Sequence, residues 1–135
     1  MIIKIPVLAR PKKNSQEIRI NRRTGKRYIS QSQRYLNFEQ ECGFYLQQYL
    51  REMAITDFIP IDYPVTLKIT FYFPDKKKRD IANFVNAIQD ILVKFGVLKD
   101  DNSNIVKSLD GTRIIYEEGR QEIVIEIIKY EKDNN

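Results

Sequence analysis

The sequence predicts an α+β fold, with two helices packed on one face of a small mixed β-sheet. Two long segments repeat their apolar residues at the 3–4 spacing of a half-buried helix. Shorter alternating runs around them read as strands, giving the order β-ββ-α-β-α-β-β. At 135 residues, without repeats, low-complexity stretches or a linker, residues 1–135 are expected to form one domain.

Residues 2–9 are aliphatic and read as the first strand, and Pro11 to Ser15 as a polar loop. Glu17 to Asn21 and Arg27 to Ile29 form the arms of a hairpin, with Gly25 free to take positive φ in the connection. Ser30 and Ser32 can each cap a helix reaching about Met53. Ser30, with Gln33 three residues on, fits a capping box and is preferred. The apolar stripe of that helix is Tyr35, Phe38, Cys42, Tyr45, Leu46, Tyr49, Leu50 and Met53. Residues 54–63 form a connection, and Val65 to Phe73 alternates as a strand with one buried face.

A second helix runs from Asp80 to Phe95 and ends at Gly96, a glycine C-cap. Its apolar stripe is Ile81, Phe84, Val85, Ile88, Ile91, Leu92 and Phe95. Asp80, Asn83, Asn86, Ala87 and Asp90 fall on the opposite face. Ile105 to Tyr116 and Glu122 to Tyr130 read as two closing strands, joined as a hairpin through Glu117 to Arg120.

The formal net charge is +5, and it is unevenly placed. Residues 1–35 carry ten Lys or Arg against the single acid Glu17, which points to a basic face or arm. With no histidine, imidazole acid–base catalysis and His-ligated zinc are excluded. The single cysteine, Cys42, lies on an apolar stripe and is expected to be a buried thiol. No apolar run approaches membrane-spanning length, and the start of the chain does not resemble a signal peptide. A soluble, cytoplasmic protein is expected.

The chemistry concentrates where Lys76-Lys77-Lys78-Arg79 runs into Asp80, with Asp100-Asp101 just beyond the same helix. Each feature alone has a plainer explanation: a helix cap at Asp80, a solvated loop at Asp100-Asp101, a solvated turn at the lysines. Together they pair cations that attract a polyanion with carboxylates that a divalent metal would reconcile with it. Magnesium needs only one or two protein carboxylates plus a substrate phosphate. Asp80 and Asp101 can meet only if the loop after Gly96 folds back along the polar face of the helix.

The run Pro74-Asp75-Lys-Lys-Lys-Arg-Asp80-Ile-Ala-Asn83, followed by Asp90, Gly96 and Asp100-Asp101, resembles the RusA family of Holliday junction resolvases, common in phages and prophages. The specific likeness covers Pro74 to about Asn104. Pro11 to Ser15 and the start of the first helix are similar to the family's N-terminal half. The resemblance implies metal-binding acids at Asp80 and Asp101, supported by Asp90 and Asp100. It also implies Mg2+ as cofactor, with Mn2+ as a substitute, and a homodimer acting on branched DNA. Two positions depart from the family pattern: Ala82 stands where an aspartate is expected, and Asn86 where a basic residue is often found.

The expected function is therefore a Mg2+-dependent endodeoxyribonuclease resolving four-way junctions in DNA recombination and repair, in a bacterial or phage-infected cell. The expected DNA contacts are Lys12, Lys13, Asn14, Arg22, Arg23, Lys26, Arg27, Lys76, Lys77, Lys78, Arg79, Asn83 and Asn86. Two alternatives stand beside it. One is a branched-DNA-binding protein of the same fold that Ala82 leaves unable to cut. The other is a small RNA-binding domain using Tyr72 and Tyr116 as stacking aromatics.

Overall fold

The computed structural model describes residues 1–12, 16–53 and 57–132. Its elements are β1 (Ile2–Ile5), β2 (Gln16–Ile20), β3 (Arg27–Gln31), α1 (Gln33–Glu52), β4 (Val65–Phe73), α2 (Ile81–Lys94), β5 (Val106–Ser108), β6 (Arg113–Tyr116) and β7 (Glu122–Lys129). β4 is the spine of a five-stranded mixed sheet ordered β1-β7-β4-β5, with β6 also on β4. β7 runs antiparallel on one edge of β4, and β1 runs antiparallel on β7. β5 and β6 pair parallel on the other edge of β4.

Register explains which face is dry. Leu67, Ile69 and Phe71 stand opposite Ile127, Ile125 and Ile123, and Ile3 and Ile5 stand opposite Ile125 and Ile123. Side chains alternate along a strand, so these share one face, and all are buried. Both helices lay their stripes on it. Tyr35, Phe38, Cys42 and Leu46 of α1 and Phe84, Val85, Ile88, Ile91 and Leu92 of α2 join the same cluster. Phe84 packs on the rings of Phe71 and Phe73. The helices meet closely at Gly43, where a Cβ would overlap the Phe95 ring. The expected α+β architecture, with two helices on one face of a mixed sheet, is what forms. Cys42 is buried as expected, and burial, with Glu41 and Glu39 adding to it, pushes its thiol up to about 12.

Several local expectations are corrected. The first strand ends at Ile5, because Pro6 cannot donate to the ladder and Val7 N turns back to Ile5 O. Ser32, not Ser30, caps α1: its hydroxyl accepts from Tyr35 N at 3.2 Å, while Ser30 is held in β3 opposite Glu17. Ala87 is buried, not on the polar face, since a methyl group fits the dry side of α2. Met53 and Ile81, at the ends of their stripes, remain exposed.

The expected strand Ile105 to Tyr116 is broken in two by residues 109–112, where Gly111 takes φ 85°. Thr112 fills the gap in the ladder. Its hydroxyl accepts from Ile69 N at 3.1 Å and donates to Leu67 O at 3.2 Å, satisfying two β4 groups that the break would leave bare. β6 and β7 are not a hairpin either. They flank β4, and the turn between them crosses the end of that strand, where Glu117 N donates to Phe73 O.

The ribbon β2–β3 forms its own two-stranded sheet. Its turn has Gly25 at φ 70°, as expected, with Gly25 N bonded to Asn21 O. Among the described residues, no helix is long and apolar enough to cross a membrane.

Candidate active site

The basic turn is built by β4 running out at Phe73. Arg79 folds the turn together rather than standing free. Its guanidinium lies 3.9 Å over the Phe73 ring, pairs with Asp75 at 2.9 Å and donates to the Asp75 and Lys77 carbonyls. Only 14% of its side chain is exposed. The Asp75 carboxyl is held below its usual range by the Lys77 amide at 3.0 Å, then by Arg79. This brace presents Lys76, Lys77 and Lys78 to solvent. Lys76 lies 5.1 Å over the Tyr116 ring and Arg120 lies 3.4 Å over Tyr72, so each proposed stacking aromatic already has a cation on its face.

Asp80 caps α2, its carboxylate accepting from Ala82 N at 3.1 Å. A carboxylate there is favoured by the positive end of the helix dipole. Ala82 and Asn86 are exposed and Asn83 is half-buried.

Beyond α2 the chain does fold back. Gly96 at φ 76° lets Val97 N and Leu98 N return to Leu92 O. Val97 and Leu98 are buried, and Ile61 clamps the segment through Val97 O and Lys99 N. Asp100 then organises the next turn, accepting from Asp101 N at 2.7 Å and from the Asn102 amide at 3.1 Å.

This fold-back brings Asp101 to a cleft lined by Lys12, Glu39, Asp90, Val93 and Lys94. Lys12 Nζ pairs with Asp90 at 2.9 Å, and Lys94 pairs with Glu39. The Asp101 carboxyl is pushed above its ordinary value, first by burial against the cleft, then by its hydrogen bond with Asp100 and by the charges of Asp90 and Asp100. Tyr35 lies nearby: burial raises its phenol, as do the charges of Glu39 and Asp90. Its buried hydroxyl has no hydrogen-bond partner among the described residues.

Thus Asp101 and Asp90 line one cleft, and Asp100 acts on Asp101 from the next residue, whereas the sequence reading required Asp80 and Asp101 to meet. Asp80 does not join them within one chain. It stands at the other end of α2, ~15 Å of helix rise from Asp90. Among the described residues, no three Asp or Glu side chains gather closely enough to hold a metal by themselves. The donor set still fits magnesium held jointly with a phosphate: hard carboxylate oxygens, with the Asp101 carboxyl raised first by burial and also by neighbouring like charge that a cation would relieve.

Of the other expected contacts, Arg22, Arg23, Lys26 and Arg27 are exposed at the ribbon tip. Asn21 shapes that tip, its side-chain oxygen accepting from Arg23 N and Thr24 N. Lys13 and Asn14 lie outside the described residues. Sequence reasoning missed Glu39 and Lys94. The available signal was Glu39 itself, an acid four residues after Tyr35 on the buried side of α1.

Comparison with known proteins gives two findings. The family model for endodeoxyribonuclease RusA matches residues 9–127. A crossover junction endodeoxyribonuclease RusA from Aquifex aeolicus (strain VF5) is 34% identical over 67 residues, a stretch covering 50% of this chain and 51% of that relative.

Proposed function

The chain belongs to the endodeoxyribonuclease RusA family, and on that premise we propose that it is a structure-selective endodeoxyribonuclease that resolves four-way DNA junctions with Mg2+, or Mn2+ in its place. One observation carries the reading: the loop after Gly96 folds back to set Asp101 beside Asp90 on the polar side of α2, the helix whose N-terminus carries the exposed lysines and Asp80.

Asp101, with Asp90 and Asp100, is the acid group that would hold the metal. Bound there, a divalent metal would supply Lewis-acid activation of the scissile phosphate and of the attacking water. Lys12 and Lys94 limit the repulsion between these acids and an incoming phosphate. Lys76, Lys77 and Lys78 hold DNA backbone, and Arg22, Arg23, Lys26 and Arg27 extend the footprint. Asn83 and Asn86, on the same helix, reach toward the strand being cut.

The separation of Asp80 from Asp101 fits a homodimer in which Asp80 of one copy approaches Asp101 of the other. A twofold dimer also suits two cuts in a nearly symmetric junction. The reading treats residues 1–135 as a single nuclease domain.

A second reading, binding without cutting, is favoured by Ala82, which leaves the first turn of α2 one carboxylate short of the family pattern. Incubating an end-labelled four-way junction and a linear duplex with the chain, with and without Mg2+, separates the two. Metal-dependent cutting confined to the junction supports the nuclease. Junction binding without cutting under any metal supports the binder.

A further inference from the structure

The ribbon β2–β3 carries an apolar face that nothing among the described residues covers. Ile18 stands opposite Ile29, and Ile20 lies two residues along on the same side. These three are 74%, 69% and 61% exposed, respectively. The two strands pack mainly on each other. An isolated two-stranded hairpin is marginal in water, and grouped exposed isoleucines on one mark a surface with a partner.

The charges say which partner. Between residues 18 and 29 lie Arg19, Arg22, Arg23, Lys26 and Arg27, with no acid. Two copies of so cationic an element repel each other, whereas a polyanion is attracted. An apolar face flanked by cations matches one DNA feature in particular. Where a duplex opens, base faces are apolar and the flanking phosphates are anionic, and DNA-bending proteins insert aliphatic side chains at such steps.

We infer that the isoleucine face of this ribbon is a wedge that enters the open centre of branched DNA, while the tip cations grip the phosphates beside it. The inference deepens the proposed junction reading and rests on it. It adds how a branch point is told from linear duplex: the cations bind both, and only the branch accepts the wedge without first unstacking a continuous helix.

The test uses a four-way junction with 2-aminopurine at the crossover, a fluorophore that brightens when unstacked, and a linear duplex of the same sequence. The full chain should brighten the junction probe and bind the junction more tightly than the duplex. The Ile18→Thr/Ile20→Thr/Ile29→Thr variant keeps β-branched side chains that suit the strands. It should lose the fluorescence rise, and its junction-to-duplex affinity ratio should fall about tenfold. The Arg22→Ala/Arg23→Ala variant should weaken both substrates while keeping their ratio. Far-UV circular dichroism checks the fold, and the single Ile29→Thr variant repeats the test if the triple variant unfolds. Fluorescence and ratio unchanged in a folded isoleucine variant overturn the wedge. So does an isoleucine variant that turns a dimer into a monomer in sedimentation while the junction signal persists, since the face then seats a second copy. A chain that cuts no junction yet brightens the probe defeats the nuclease reading and leaves the wedge standing.

Discussion

Lys12 Nζ lies 2.9 Å from Asp90 Oδ2, joining positions 78 residues apart. The contact ties the segment leading to the basic ribbon to the helix that carries the acids. Both side chains are 40% exposed, so as a stabilising pair it contributes no more than about 1 kcal/mol. Its larger effect is on the charge of the cleft: the ammonium compensates a carboxylate that would otherwise stand bare beside Asp101.

Removing that ammonium frees Asp90 for a cation. Lys12→Ala should tighten Mn2+ binding about two- to fivefold in calorimetric titration without DNA, the range an exposed ion pair allows. Weaker binding would show that Lys12 does not compete for the cleft carboxylates.

Ala82 is exposed in the first turn of α2, beside the Asp80 cap. Ala82→Asp adds a carboxylate at the favourable end of the helix dipole, so the fold should tolerate it. It should raise junction cutting at least tenfold, the order of effect expected where a metal site gains a ligand, while barely changing DNA affinity in gel shift. Equal cutting rates would mean that position 82 holds no metal in this chain.

The raised Asp101 carboxyl gives a stability prediction. A folded-state pKa above the unfolded value means that its stabilising contribution is present below the unfolded pKa and lost as pH rises through the folded one. At neutral pH the ionised side chain is therefore mildly destabilising. Asp101→Asn should raise stability at pH 7 by no more than about 0.5 kcal/mol, because much of the side chain is open to water and screened. The gain should vanish in acid. Urea unfolding at pH 7 and pH 3 reads both arms, and a loss of stability at pH 7 would mean that the carboxylate is held by contacts the structure does not contain.

Much of this arrangement was legible in the sequence because its signals are local. The 3–4 spacing of Phe84, Val85, Ile88, Ile91 and Leu92 fixed the buried side of α2, and Asp80 and Gly96 marked its ends. Gly25 and Gly96 take the positive φ that their positions demanded. What was missed depends on distant partners. Ser30 carries a better capping sequence than Ser32, but pairing with Glu17 holds it in a strand. The break at residues 109–112 had a turn signal in Asp110-Gly111, hidden inside an otherwise apolar run, and Thr112 makes it tolerable only through β4. The reach of Lys12 to Asp90, and the meeting of Asp101 with Asp90 before Asp80, are products of tertiary packing that spacing along one helix does not reveal.

Asp80 and Asp101 give a test of assembly. If each site draws Asp80 from one copy and Asp101 from the other, Asp80→Asn and Asp101→Asn are each inactive alone. Mixing the two after partial unfolding and refolding rebuilds one intact site in every mixed dimer. The mixture should nick a labelled junction at up to about a quarter of the wild-type rate per dimer, because about half of the dimers are mixed and each of those holds one intact site of two. If both acids serve within one chain, every mixed dimer carries two defective sites and no cutting returns.

The central claim is that Asp101 holds a metal for phosphodiester hydrolysis. The most direct measurement is single-turnover cleavage of a labelled four-way junction across a Mg2+ series, by the chain and by Asp101→Asn, with junction affinity measured in parallel. The account predicts cutting that appears only with Mg2+ and is abolished in Asp101→Asn, while the variant binds the junction at least as tightly because it has lost a negative charge. Cutting that survives in Asp101→Asn, or that proceeds equally well without divalent metal, would contradict it.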